Sequence, residues 1–240
     1  MRRPFRMPYL SSLPEAFGPP LDWLKDRLST AGPRAYADTH DVALSLMAGA
    51  PPCRVIDLGA GRGNLSTRMQ ALGHDVTAVE RYTAQFRGDV PLIEADLEKP
   101  LPFADGSADI AAAVEIIEHL ENPRAFLREL ARVVRRRGIA IVSTPNLTGA
   151  LSRLLFLSVG QWDLFFDHPW RLRDPHSDLV HGHITPLPRW LLEHHAKDAG
   201  FVLEAWGYSR AWLPGVPWRL NPLPRGRTFG RIALCRLRRT

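Results

Sequence analysis

The stretch VIDLGAGRG, residues 55–63, decides the fold of this chain. It begins with a mostly apolar run typical of a buried strand, and glycines follow at positions 59, 61 and 63. Because glycine has no Cβ, it lets the backbone turn tightly and come close to a ligand. A glycine triplet by itself fits a plain tight turn as readily as a ligand-binding loop. The sequence on both sides of it is therefore needed to distinguish a plain turn from a ligand-binding loop.

Short apolar runs alternate with helical segments after this turn. The strand candidates are CRVIDLG (53–59), HDVTAVE (74–80), VPLIEAD (90–96), ADIAAAVE (108–115) and IAIVSTPN (139–146). NPRAFLRELARVVRRRG, residues 122–138, has its apolar residues at helical spacing, and we expect Gly138 to end that helix. Strands that alternate with helices in this way predict βαβ units and a mainly parallel sheet.

The pattern differs at both ends of the chain. Residues 1–50 predict an N-terminal helical extension, and residues 51–240 predict one α/β domain. Within that domain, residues 147–185 are aromatic and rich in histidine, and we interpret them as an insertion that covers the substrate. FVLEAWGYS and FGRIALCRL then close the sheet, as two strands that we expect to be antiparallel at one edge.

Composition excludes several classes of protein. With 240 residues, 45% hydrophobic and 23% charged, the chain resembles an ordinary globular protein and not a disordered one. It has no apolar stretch long enough for a spanning helix or a signal peptide, so we expect a cytoplasmic protein. Its two cysteines exclude a disulfide framework. The net charge of +6 comes from residues 211–240, which hold seven Arg and no acid, so nucleic-acid binding is disfavoured but stays open.

Two carboxylates follow the glycine turn in register with the strands. Glu80 ends the second predicted strand, where a carboxylate can accept hydrogen bonds from two ribose hydroxyls. Asp96 ends the third, where it can meet an adenine amino group. Ligands of parallel α/β sheets bind at the carboxyl ends of the strands. The glycine turn and the two carboxylates follow three consecutive strands, and together they predict a nucleotide-containing cofactor.

With these residues in place, the chain resembles a class I S-adenosylmethionine-dependent methyltransferase over about residues 52–146. DLGAGRG resembles the cofactor loop of that family, VTAVE its ribose segment and EADLEKPLPF its adenine segment. The resemblance implies a Rossmann-like, seven-stranded, mostly parallel sheet flanked by helices, with an insertion before the last helix. It also implies the residues that bind S-adenosylmethionine. They are Asp57, which supports the loop, and Gly59, Gly61, Glu80, Asp96, Leu97 and Glu115.

A second motif, VEIIEHL, spans residues 114–120. If a helix begins at Glu115, then Glu118 and His119 share one of its faces. With a distant histidine, either His183 or the less favoured His181, the motif resembles the metal site of two groups of enzymes. These are the small-RNA 3′-terminal 2′-O-methyltransferases and the ubiquinone-pathway O-methyltransferases.

Two chemistries stay open for this motif. One is a divalent cation (Mn, Fe, Co, Zn or, less favoured, Mg) held by Glu115, Glu118, His119 and His183. The other is a metal-free site with His119 as the base, where Glu118 and His183 complete the catalytic set.

The function expected first is O-methylation of a small molecule, aromatic or lipid-like. The rivals are 2′-O-methylation of RNA ends and a catalytically silent partner subunit. The aromatic group at Phe156, Trp162, Phe165, Phe166 and Trp170 is compatible with burial in the core or a lid, with an apolar substrate pocket and with contact at a membrane surface. The sequence does not indicate an oligomeric state.

Overall fold

The computed structural model describes residues 37–165, 183–211 and 223–240. Its helices are α1 (Ala37–Met47), α2 (Asn64–Ala71), α3 (Pro123–Val133), α4 (Ala150–Val159) and α5 (Arg189–Asp198). Its strands are β1 (Arg54–Leu58), β2 (Asp75–Glu80), β3 (Leu92–Glu94), β4 (Ala108–Ala113), β5 (Val134–Pro145), β6 (Phe201–Tyr208) and β7 (Ile232–Arg239). Short 3₁₀ turns occupy Thr83–Gln85 and Ile117–His119.

The seven strands form one sheet in the order β3-β2-β1-β4-β5-β7-β6. Strands β1 to β5 are parallel to one another, and β7 runs antiparallel to both of its neighbours, β5 and β6. All strands except β7 therefore end at the same edge, which we call the carboxyl edge. The strand order reverses between β1 and β4, and this is where ligands of such sheets bind. The predicted fold class is confirmed.

Helices cover both faces of the sheet. On one face, α3 and α5 bury Phe126, Leu130 and Leu192 against it. On the other face, α1 and α2 bury Met47 and Met69. Helix α1 packs on β5, β6 and β7, and Gly207 permits this approach, because a Cβ there would lie 2.5 Å from Val42 Cγ1. The domain boundary placed at residue 50 stays a prediction, although α1 is part of this layer.

The predicted end of the third helix at Gly138 is wrong. Helix α3 ends at Val133, and β5 begins directly at Val134. Arg135 forms an ion pair with Asp109, which holds the arginine run on the strand. Gly138 is needed for close packing instead, since a Cβ there would lie 2.8 Å from Asp109 O.

Several predictions fall on residues that are not described. They concern the start of the N-terminal extension, the middle of the insertion with Phe166 and Trp170, and the alternative ligand His181. Among the helices in the described ranges, none is long and apolar enough to cross a membrane.

Candidate active site

The glycine loop lies at the carboxyl end of β1. The amides of Gly59 and Ala60 both donate to Val79 O, at 2.8 and 3.0 Å, which holds the loop against β2. Gly59 and Gly61 have φ values of 72° and 55°, a region that favours glycine. A Cβ on Gly61 would have no atom within 4 Å. The loop is therefore open at Gly61, as the close approach of a cofactor requires.

Glu80 is buried at the end of β2 and binds the loop through its carboxylate. Oε2 accepts from the amide of Gly61 at 2.7 Å, and Oε1 accepts from the amides of Arg81 and Tyr82 at 2.8 and 3.0 Å. A carboxylate has about four acceptor positions, so one remains on Oε2 for a ribose hydroxyl. The sequence pattern indicated the ribose contact but not that Glu80 also fixes the glycine loop.

Asp57 is buried beneath the loop, and its Oδ2 accepts from Ser66 Oγ in α2 at 2.5 Å. Burial raises the pKa of Asp57 to about 6, and the nearby charge of Glu80 acts in the same direction. This contact ties β1 to α2 across the glycine turn, which fits the supporting role expected of Asp57.

Asp96 and Leu97 follow β3 at the same edge. Asp96 Oδ1 accepts from the amide of Glu98 at 3.0 Å, and its Oδ2 lies 3.8 Å from Arg81 Nη1. Leu97 is half-buried against the core. Both residues thus lie one strand beyond Glu80, in the order that an extended nucleoside requires.

Glu115 leaves β4 in a conformation that differs from the predicted one. Its φ is +60°, and only a single 3₁₀ turn, Ile117–His119, follows it, so the expected helix from Glu115 is wrong. Its amide donates to Ser143 Oγ at 2.6 Å, and that hydroxyl donates to Glu115 Oε1 at 3.1 Å. Burial raises the pKa of Glu115 to about 7. The side chain is thereby directed to β5.

Three of the four predicted metal ligands lie together. One ligand atom from each of Glu118, His119 and His183 falls within 4.8 Å of the others, and Glu115 is outside this set. The two imidazole rings meet edge to face, with centroids 4.7 Å apart. We call these three residues the Glu–His–His cluster. Glu115 falls outside it because the i, i+3, i+4 spacing brings side chains together only on a helix.

Backbone pairing positions the distant histidine. The amides of Ile184 and Thr185 donate to the carbonyl of Glu118 at 2.9 and 3.0 Å, and Thr185 Oγ1 donates to Leu120 O at 2.5 Å. The segment before α5 is therefore fixed beside the 3₁₀ turn. His183 stands next to His119 for this reason, although 64 positions separate them in the chain.

The carboxylate of Glu118 is fully buried, and neither oxygen has a hydrogen-bond partner among the described residues. Burial, reinforced by the charge of Glu115, raises the pKa of Glu118 well above its usual range. Buried carboxylates in proteins are normally satisfied. A mixed set of one carboxylate and two imidazoles suits Mn²⁺, Fe²⁺, Co²⁺ or Zn²⁺. The residues present therefore fit a divalent cation.

The fold and this edge define the class of the protein. Residues 56–142 match the family model described as a methyltransferase domain. A Thermotoga maritima S-adenosylmethionine-dependent methyltransferase, a possible histamine N-methyltransferase, superposes with a TM-score of 0.61 at 16% identity, over 91% of this chain and 97% of that one. Synechocystis magnesium protoporphyrin IX methyltransferase with bound S-adenosylhomocysteine gives 0.57 at 17% identity, over 86% and 84%. Residues 56–142 thus match a methyltransferase domain, and the chain has the Rossmann-like fold of class I methyltransferases.

Curated relatives specify the cofactor. A probable S-adenosylmethionine-dependent methyltransferase of Mycobacterium tuberculosis is 37% identical over 106 residues, 40% of this chain and 38% of the relative. A ubiquinone biosynthesis O-methyltransferase of Caulobacter sp. is 30% identical over 133 residues, 49% of this chain and 52% of the relative. The chain thus spans about half or less of the curated relatives that it matches. The name of the Mycobacterium tuberculosis relative agrees with the S-adenosylmethionine-dependent class that the sequence resemblance implied.

Proposed function

We propose that this protein transfers the methyl group of S-adenosylmethionine to an oxygen atom of a small molecule, with a divalent cation at the Glu–His–His cluster. The observation that carries the proposal is the fully buried Glu118 carboxylate, which has no hydrogen-bond partner among the described residues and lies beside two imidazoles. The name of the Caulobacter relative, a ubiquinone biosynthesis O-methyltransferase, supports oxygen as the acceptor.

Cofactor binding and placement of the acceptor fall to two different parts of the carboxyl edge. Gly61, Glu80 and Asp96 bind the cofactor on the side of β1 to β3, and the Glu–His–His cluster places the acceptor beside it. Methyl transfer needs the acceptor oxygen, the methyl carbon and the sulfur in line, so positioning supplies much of the rate. A bound divalent cation lowers the pKa of a hydroxyl that it contacts. The alternative is a metal-free site in which His119 takes the proton of the acceptor.

Methylation of RNA is the second candidate, and the arginines near the C-terminus weigh against it. Arg225 pairs with Asp38, Arg231 with Asp163, and both Arg236 and Arg238 with Glu204. Arg239 donates to the carbonyls of Arg132 and Val134. Five of the seven arginines of residues 211–240 therefore contact groups of the protein itself. This leaves few of them for phosphates, on which RNA binding depends.

The experiment combines cofactor binding with methyl transfer from labelled S-adenosylmethionine to caffeate, a probe that carries two adjacent hydroxyls. We expect a chelator to abolish transfer without changing cofactor affinity, and Mn²⁺ to restore it. Glu118→Gln should lower transfer at least 100-fold and remove the bound-Mn²⁺ signal in electron paramagnetic resonance. Glu80→Ala should weaken cofactor binding at least tenfold, since it removes charge-assisted hydrogen bonds.

Glu121→Gln is the matched control, because it makes the same change at an exposed glutamate of the neighbouring loop. It should leave transfer and Mn²⁺ binding as they are. Full transfer in the chelator, lost only in His119→Ala, would replace the cation by a histidine base. Absence of cofactor binding in the unmodified protein would support the silent-subunit alternative and refute the proposal.

A further inference from the structure

A second group of polar side chains lies at the carboxyl edge, beyond the Glu–His–His cluster. Helix α5 begins at Arg189, and β6 ends at Tyr208. Tyr208 is in register with Ala233, which also pairs with Thr144 near the end of β5. Since neighbouring strands are about 4.8 Å apart, Tyr208 lies roughly 10 Å from the end of β5 and about 15 Å from β4.

Aromatic rings hold the guanidinium of Arg189 in place. Its Cζ lies 4.4 Å from the ring centroid of Trp206 and 5.9 Å from that of Tyr208. Trp206 Nε1 donates to Glu193 Oε1 at 3.0 Å, and Arg189 Nη2 is 3.5 Å from the same oxygen. A cation stacked on two rings and held by a carboxylate is an ordered group.

Two polar atoms of this group are buried and have no hydrogen-bond partner among the described residues: Arg189 Nε and Tyr208 Oη. An unsatisfied buried donor destabilises the fold, and such atoms are rare in native proteins. Burial raises the pKa of Tyr208, so its hydroxyl keeps the proton that it can donate. The guanidinium of Arg189 and the hydroxyl of Tyr208 therefore each have a buried donor that an acceptor on a ligand could satisfy.

The surroundings of these donors are positively charged. The charge of Arg227 acts on Tyr208 together with that of Arg189, and Glu193 is the acidic group that opposes them. The side chain of Arg227 is exposed. The positive charge in excess at this end of the edge attracts an anion.

We propose that Arg189, Tyr208 and Arg227 bind an acidic group of the methyl acceptor, a carboxylate or a phosphate, at the end remote from the reacting oxygen. This inference rests on the proposed function and adds the substrate class: an elongated acid. Arg189 Nε and the Tyr208 hydroxyl donate to the same anionic group, and Arg227 adds its charge. The strand spacing, roughly 10–15 Å between the two sites, points to an acceptor longer than one ring with its acid directly attached.

The test compares caffeate with its neutral methyl ester, in the presence of S-adenosylhomocysteine and with calorimetry as the readout. We expect the unmodified protein to bind caffeate at least tenfold more tightly than the ester. Arg189→Gln should reduce that preference below threefold, with little change for the ester. Tyr208→Phe, which keeps the ring stack, should reduce it about threefold. Arg136→Gln is the matched control, since Arg136 is exposed at the start of β5, at the opposite edge of the sheet.

Competition with benzoate and with phenyl phosphate shows whether a carboxylate or a phosphate fits better. The proposal fails if the unmodified protein does not prefer the acid to the ester. It also fails if Arg189→Gln and Tyr208→Phe keep the full preference. Binding of S-adenosylhomocysteine in the same titrations is a separate readout, because its absence would contradict the methyltransferase function and not the anion site.

Discussion

The two halves of the carboxyl edge differ in how their buried charges are satisfied. In the cofactor half, formed by β1 to β3, Glu80 accepts three backbone hydrogen bonds and Asp57 accepts one from Ser66. In the acceptor half, formed by β4 to β7, Glu118 and Arg189 keep buried polar atoms that have no hydrogen-bond partner among the described residues. The polar groups of the first half are satisfied within the protein, whereas those of the second half are the ones that we propose a ligand satisfies.

This difference follows the likeness to other proteins only in part. The methyltransferase-domain match covers residues 56–142. It contains the cofactor half except for the first two residues of β1, and it also contains β4 and the 3₁₀ turn with Glu118 and His119. Helices α4 and α5 and strands β6 and β7 lie beyond it. A cofactor common to many enzymes needs one fixed cradle, while acceptors differ from enzyme to enzyme. Of the unsatisfied groups, Arg189 lies beyond the match, whereas Glu118 lies inside it.

The largest effect is expected where the two halves touch. A Cβ on Gly59 would lie 2.0 Å from Ile116 Cδ1, and the φ of +72° adds backbone strain. Gly59→Ala should therefore lower the free energy of unfolding by about 4 kcal/mol, of which roughly 1 is conformational and up to 3 is overpacking. Urea denaturation measures this loss.

Gly61→Ala is the matched control, because a Cβ there meets no atom within 4 Å. It should cost only about 1 kcal/mol in stability but weaken cofactor binding at least tenfold. Gly59→Ala combined with Ile116→Ala should recover part of the loss. Equal costs at both glycines, or no recovery in the double variant, would show that the halves do not meet through this contact.

The next effect concerns Asp57 in the cofactor half. Because burial raises its pKa to about 6 from an ordinary value of about 3.9, the folded chain binds more protons than the unfolded chain between these values. Stability associated with Asp57 is present below pH 4 and is lost as the pH rises through 6. Asp57→Asn does not titrate. The free energy of unfolding of Asp57→Asn, minus that of the unmodified chain, should rise by about 3 kcal/mol between pH 4 and pH 8.

Denaturation of both proteins across this pH range gives the difference, in which the titrations of shared groups cancel. Ser66→Ala serves as a second variant, since it removes the hydrogen bond and should raise the pKa of Asp57 further. A difference between Asp57→Asn and the unmodified chain that is flat with pH would contradict the assignment.

The sequence predicted most of the sheet because its signals are local. Strands β1 to β5 are apolar runs between glycine and polar breaks, and the β7 sequence RIALCRL is equally clear. The failures have a tertiary origin. The arginines after α3 continue a helical pattern, yet the ion pair of Arg135 with Asp109 and the tight packing around Gly138 place them on β5.

Only part of the site was predicted, because the rest of it also depends on tertiary contacts. Spacing along the chain brought Glu118 and His119 together, and His183 followed from a resemblance. Glu115 was placed with them because a helix was assumed, whereas its positive φ and the bonds to Ser143 direct it elsewhere. Arg189 and Tyr208 carried no local signal, since they meet only where α5 packs against β6.

The smallest expected effect tests the comparison of the two halves, through the sign of a change in the free energy of unfolding. Glu80→Met leaves the amides of Gly61, Arg81 and Tyr82 without acceptors, and should lower the free energy of unfolding by about 2 kcal/mol. Glu118→Met, measured in a chelator, removes a buried carboxylate whose oxygens have no described partner, and should raise it by about 2 kcal/mol while transfer is lost.

Added Mn²⁺ should stabilise the unmodified protein, since a ligand that binds only the folded state raises stability by mass action, and should leave Glu118→Met unchanged. If Glu118→Met is destabilised as Glu80→Met is, then the acceptor half is as complete as the cofactor half, and the Glu118 carboxylate belongs to the fold and not to a ligand. Opposite signs would establish that the protein keeps this carboxylate at a cost in stability, for what it binds.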